Sequence, residues 1–300
     1  MAKLPRLSFP YSAPPVPQGV DPVDRPVRSG PDYDTDWARR FPARVGRVLL
    51  RDTLLRPVVQ ALASPTLHGL DRLDTVDRDR PVIFAANHHS HIDTPVLFCS
   101  IPEPWRNRLF VAAAADYFFR TRVTSVLSAL TLGAIPIERS RVGRRSADRA
   151  AALLDEGWSL LIYPEGGRSP DGWGQPFRGG AAYLSQRCDV TVVPVHIQGT
   201  SRILPKGKRF PSPSTSTVTF GAPLVADGDD DARSLADRIE QSVAVLADEA
   251  TCDWWTARRR AHAGTTPTLT GPEASGWRRA WALGEPSRRR RRQRRPWPEV

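Results

Sequence analysis

The 300-residue sequence predicts an α/β fold, with a mostly parallel or mixed central sheet flanked by helices in one domain with flexible termini. Three observations lead there. Short apolar runs of strand length alternate with segments whose apolar residues recur every three or four positions. A hydrophobic content of 40%, with 8% aromatic residues, is enough to bury a sizeable core. No segment repeats at a fixed period.

Residues 1–35 hold many of the 29 prolines and few apolar anchors, and read as a flexible leader. Residues 1–28 lack the apolar stretch of a signal peptide. The domain is expected over 36–262 and opens with a helix at about 37–63. There Trp37, Phe41, Val45, Val48, Leu49 and Leu55 fall near one face, with Arg39, Arg40, Arg44, Arg47 and Arg51 on the rest. A basic amphipathic helix of this kind suits a membrane surface or the flank of a core. Apolar runs predict strands at 81–86, 109–114, 134–137, 159–163, 190–197 and 215–220. Helices are expected between them: 94–100 after a turn, the apolar 122–132, 146–156 with Ala150, Leu153 and Leu154 on one face, and 180–187. A longer helix at 231–250 spaces Leu235, Ile239, Val243 and Leu246 on one face. Beyond His262 the chain turns to Gly, Pro, Thr, Trp and Arg, so 263–300 reads as a disordered tail.

Arg288 to Arg292, with Arg294 and Arg295, supply seven of the +11 net charges, leaving the body of the chain only mildly basic. An arginine block is usually a solvated arm, and its functional readings are attraction to anionic lipid or to nucleic acid. No uncharged apolar run reaches the ~18 residues that a spanning helix needs. The expectation is a cytoplasmic protein in peripheral contact with the inner face of the plasma membrane. Cys99, Cys188 and Cys252 are far apart and suggest neither a disulfide framework nor a zinc site.

The densest chemical signal is Asn87-His88-His89-Ser90-His91-Ile92-Asp93, directly after an apolar strand. Ligands gather at the carboxyl ends of strands in α/β sheets. Ser90-x-x-Asp93 has the form of a capping box, which places His88 on the turn before a helix. His88 and Asp93 are five apart, so they meet only if the chain turns between them. A carboxylate on one ring nitrogen would then fix the tautomer and free the other to deprotonate a substrate hydroxyl. Two other readings stay open at this point: a metal cluster of His88, His89, His91 and Asp93, which lacks a distant partner set, and plain loop histidines. A second cluster, Tyr163-Pro164-Glu165-Gly166-Gly167-Arg168-Ser169-Pro170, offers close backbone approach and a guanidinium fork for phosphate. A third, Gly133 to Arg139, delivers another arginine, and Val192-Val193-Pro194-Val195 is an apolar wall.

In order and spacing these four clusters resemble the motifs of the glycerophospholipid acyltransferases, over roughly residues 70–225, the nearest type being the bacterial 1-acylglycerol-3-phosphate acyltransferases. The resemblance implies that His88 is the general base and Asp93 its orienting partner, with no acyl-enzyme. It implies that Arg139 and Arg168 contact the acceptor phosphate, that Glu165 and Gly166 shape that pocket, and that Arg178 in Phe177-Arg178-Gly179-Gly180 assists. A lysophospholipid acceptor and an acyl-CoA or acyl-carrier-protein donor follow, in phosphatidic acid biosynthesis, with no bound cofactor or metal and no nucleic-acid partner. The alternative is a catalytically weak member of the fold that binds anionic membrane or nucleic acid through its tail. The chain departs from the pattern with Gly167 where threonine is usual and His89 where glutamine is frequent. Ala114-Ala115-Asp116 stand where a lysine is common.

Overall fold

The structure, a computed structural model, describes residues 29–137, 144–168, 173–204, 210–227 and 230–271. Arg139, most of the leader and most of the arginine tail lie outside them.

Strand β1 (Pro65–His68) is followed by β2 (Ile83–Ala86), β3 (Leu109–Ala114), β4 (Ile135–Ile137), β5 (Ser159–Ile162), β6 (Val192–Gln198) and β7 (Ser216–Phe220). They form one seven-stranded sheet in the order β1-β7-β6-β2-β5-β3-β4. Only the β6–β7 pairing is antiparallel, so the sheet is mixed and mostly parallel. β2 runs between β5 and β6 at its centre, with Ala85 opposite both Ile162 and Pro194. All four of its residues are buried, as in a strand covered on both faces.

Successive side chains of β2 alternate between two cores. Phe84 and Ala86 join Val96, Leu97 and Phe98 of helix α3 (Asp93–Ser100), and Ile101 just after it, on one face. Ile83 and Ala85 join the other face, with Ala150 and Leu154 of α6 (Arg144–Asp155), Ala182 of α7 (Gly180–Cys188) and Ile239 of α9 (Ala232–Glu249). The remaining helices are α1 (Phe41–Leu50), α2 (Arg56–Ala63), α4 (Ala115–Phe118), α5 (Arg122–Leu132), α8 (Thr200–Ile203) and α10 (Trp254–His262). Every strand and helix expected from the sequence is present with small shifts at the ends. β1, α4, α8 and α10 were not foreseen.

The first helix differs from its expected orientation. α1 and α2 are joined through one π-helical turn, Arg51–Leu55. Phe41 is 76% exposed and Leu49 59%, whereas Arg47 is only 5% exposed. The cause is hydrogen bonding. The Arg47 guanidinium donates to the carbonyls of Ala38, Ala129 and Leu130, closing the end of α5, where helix carbonyls lack partners of their own. Arg51 likewise turns inward to Asp52 and Asn107. Burial, with Arg39 and Arg44 nearby, pushes Arg47 down to about 10, which leaves it charged at neutral pH.

Contacts reach past both expected domain limits. Gly30 N–H donates to the Phe119 carbonyl, and Tyr33 is buried with its ring 5.8 Å from that of Phe119. At the other end, the Leu269 carbonyl accepts from Gly174 N–H.

Removing the Arg47 side chain strands three carbonyls. Arg47→Ala should lower the unfolding free energy by about 2–4 kcal/mol in urea titrations, while Arg40→Ala, at an exposed position, should stay within about 0.5 kcal/mol. Equal effects of the two would contradict this role.

Candidate active site

The parallel strands β2, β3 and β5 end on one edge of the sheet, and the loops leaving them surround a cavity of about 180 Å³. His88, His91 and Thr94 enter from the loop after β2 and the start of α3. Ala112 to Ala114 come from β3, and Tyr163, Pro164, Gly166 and Gly167 from the loop after β5. Leu132, Ile137, Ala147, Ala150 and Leu184 make the remainder largely apolar, and Arg178 is a cationic wall.

The chain does turn between His88 and Asp93. His88 Nδ1 lies 2.9 Å from Asp93 Oδ2. A carboxylate can only accept, so Nδ1 carries the proton and Nε2 is the free acceptor. The same Oδ2 also accepts from the N–H groups of His89 and Ser90, each at 2.8 Å. The expected capping box is thus half formed: Asp93 takes the Ser90 N–H, while the Ser90 hydroxyl donates to the Leu204 carbonyl. Asp93 is fully buried and His88 keeps 15% side-chain exposure.

Two side chains fix this loop to the sheet. Asn87 Nδ2 donates to the Ile197 carbonyl, and Asn87 Oδ1 accepts from Ile197 N–H, so the amide pairs with β6 as another strand residue would. Glu165 Oε1 accepts from His88 N–H at 2.7 Å, and Oε2 from Gln175 N–H at 2.9 Å. Glu165 is buried and is not among the walls of the cavity. With both oxygens engaged by backbone, its position is that of a clamp between loops, different from the pocket-shaping place that the family motif implies. Gly166 does line the cavity, at φ +72°, where a Cβ would sit 2.9 Å from Arg178 Cζ. Its lack of a side chain is what admits the guanidinium. Arg178 is therefore at the cavity, whereas Arg168 is not one of its walls, and Arg139 lies outside the described residues.

The histidines separate. His88 and His91 face the cavity, with His91 stacked on Tyr117. His89 and His196 line a second hollow behind the loop. Burial, together with His89, pushes His196 down to about 3, and burial also lowers His89, so both are neutral there. Among the described residues no group of three or more His, Cys, Asp or Glu is placed to hold a metal ion. Asn87, Thr94 and Tyr163 were not recognised as site residues from sequence. Asn87 and Tyr163 stood inside the two densest motifs, and that was the available signal.

A model of the Acyltransferase family matches residues 65–198, somewhat under half of the chain. Among similar proteins are a 1-acyl-sn-glycerol-3-phosphate acyltransferase of Chlamydomonas reinhardtii and a chloroplastic one of Brassica napus. The first is 32% identical over 55% of this chain and 48% of its own. The second is 30% identical over 47% of this chain and 39% of its own. The match thus spans about half the length of these curated relatives, or less. The crystal structure of the 1-acyl-sn-glycerophosphate acyltransferase of Thermotoga maritima superposes with a TM-score of 0.52 at 22% identity. It covers 68% of this chain and 82% of that one, a likeness of fold.

Burial raises Glu165 to about 7, with Asp93 and Glu240 adding to it, against the two N–H groups that lower it. Its ordinary value is 4.5. The folded protein therefore holds a proton that the unfolded chain has released between these values. The favourable contribution is full below about 4.5 and is lost as pH rises to about 7. Between pH 5 and pH 8 the wild type should lose about 2–3 kcal/mol of stability relative to Glu165→Gln. Urea melts at both pH values check this, and a constant gap between the two proteins would contradict it.

Proposed function

We propose that this protein transfers a fatty acyl group from a thioester, acyl-CoA or acyl carrier protein, to the free hydroxyl of a lysophospholipid such as 1-acylglycerol-3-phosphate. The observation that carries this reading is the His88–Asp93 pair, 2.9 Å apart, at the wall of a mostly apolar cavity that also bears Arg178. His88 Nε2 takes the proton of the acceptor hydroxyl, whose oxygen attacks the thioester carbonyl. The tetrahedral intermediate expels the thiolate, which recovers the proton from His88. Asp93 keeps Nδ1 protonated throughout and faces the imidazolium that forms when Nε2 takes the proton. Arg178, joined by Arg139 and Arg168 by family resemblance, offers charge to the acceptor phosphate.

His88→Ala should abolish formation of acylated lipid from labelled acyl-CoA and lysophosphatidic acid, read by lipid mass analysis, with an unchanged thermal unfolding profile. Transfer near the wild-type rate in that variant would end the mechanism. Free fatty acid in place of acylated lipid would identify a hydrolase instead.

Peripheral contact with the inner face of an anionic membrane belongs to the same proposal. Among the described residues no helix is long and apolar enough to cross a membrane. Phe41, Val45, Leu49 and Val58 are exposed along α1 and α2, and Val123 and Leu127 on α5, which packs against α1. Apolar side chains turned outward on neighbouring helices, together with the basic tail, suit an interfacial location. Binding to liposomes should rise with anionic lipid, fall with salt, and drop several-fold in the double variant Phe41→Ser, Leu49→Ser. Salt-independent binding unchanged by that variant would contradict it.

A further inference from the structure

We propose that Tyr163 is the positioning residue that holds the His88 imidazole in its working plane. This rests on the reading of His88 as general base. Tyr163 directly follows β5, which pairs in parallel with β2, so the ends of the two strands bring residue 163 beside the loop that begins at Asn87. The two rings stack, with centroids 4.1 Å apart and planes inclined by 19°. At its other end the Tyr163 hydroxyl lies 2.9 Å from Thr94 Oγ1, the neighbour of Asp93 on the first turn of α3. One side chain therefore touches the imidazole and ties itself to the residue next to the imidazole's carboxylate.

The physical need is plain. The bond from Nδ1 to Asp93 fixes a distance, but it leaves the ring free to swing about the line joining the two atoms. The terminal torsion of histidine is intrinsically broad. A flat aromatic face at stacking distance removes that freedom, because tilting the imidazole drives its edge into the tyrosine ring. Nε2 is then held toward the cavity rather than merely allowed there. Burial pushes the phenol well above its ordinary value, so the hydroxyl keeps its proton and its bond with Thr94. The charged and titratable groups around the pair are Asp93 at Nδ1, Glu165 at the His88 N–H, and Arg178 and His91 on the cavity wall. None of them occupies the ring face that Tyr163 covers.

The test compares Tyr163→Phe, Tyr163→Leu, His88→Ala and the double variant His88→Ala, Tyr163→Leu, in the full chain, with acyl-CoA and lysophosphatidic acid in detergent micelles. Tyr163→Leu should lower kcat by about 10- to 100-fold with KM within about twofold, the signature of lost orientation. Tyr163→Phe, which keeps the ring, should restore kcat to within about fivefold of wild type. Whatever trace of transfer His88→Ala retains in prolonged assays should fall no further with Tyr163→Leu, since there is no imidazole left to orient. A loss confined to KM, equal damage in the Phe and Leu variants, or an undiminished loss in the His88→Ala background would overturn the proposal. Should Tyr163→Leu fail to fold by thermal melt, Tyr163→Met carries the same comparison. An active His88→Ala variant would instead remove the general-base reading itself, a result that none of the Tyr163 outcomes can imitate.

Discussion

One carboxylate oxygen organises this site. Asp93 Oδ2 accepts from His88 Nδ1 and from the N–H groups of His89 and Ser90, all within 2.9 Å. The backbone bonds force residues 88–93 into a closed turn, and the turn brings the imidazole to the same oxygen. Fold and chemistry therefore share an atom. A fully buried carboxylate is costly unless several donors meet it, and here the donors are the loop that it shapes.

The rest of the architecture holds that loop still. Asn87 grips β6 through both polar atoms of its amide, Glu165 reaches from the loop after β5 to the His88 N–H, and the Ser90 hydroxyl is tied to Leu204 at the end of α8. These anchors come from three different parts of the chain, and parallel strands deliver them to one edge of the sheet. Preorganisation of this sort lets a base act without first paying to find its geometry. The buried Glu165 is the least comfortable member, and its raised proton affinity is the consequence.

Much of the fold was legible because β2, β3, β5 and β6 are almost wholly buried and so read as mostly apolar runs. β1 escaped notice as a four-residue edge strand that begins with Pro65 and alternates between half-buried and exposed. α10 escaped because it buries only Ala257 and depends on its Asp253 cap rather than on apolar spacing. The helix at 41–63 was found, but its facing was not, since no local pattern shows that Arg47 will meet carbonyls more than 80 residues away. In the site, the pairing of His88 with Asp93 could be argued from the six residues 88–93 alone. The grip of Glu165 on residue 88 crosses 77 positions, and the stacking of Tyr163 depends on strand register, so neither is visible without the sheet.

The central claim is that Asp93 holds His88 as the Nδ1–H tautomer with Nε2 bare. Nitrogen-15 NMR of the histidine-labelled protein at neutral pH tests it most directly. A protonated Nδ1 with a strongly deshielded hydrogen, and an unprotonated Nε2, both disturbed in Asp93→Asn, is the predicted spectrum. A His88 ring protonated at Nε2, or one insensitive to the Asp93 substitution, would contradict the account.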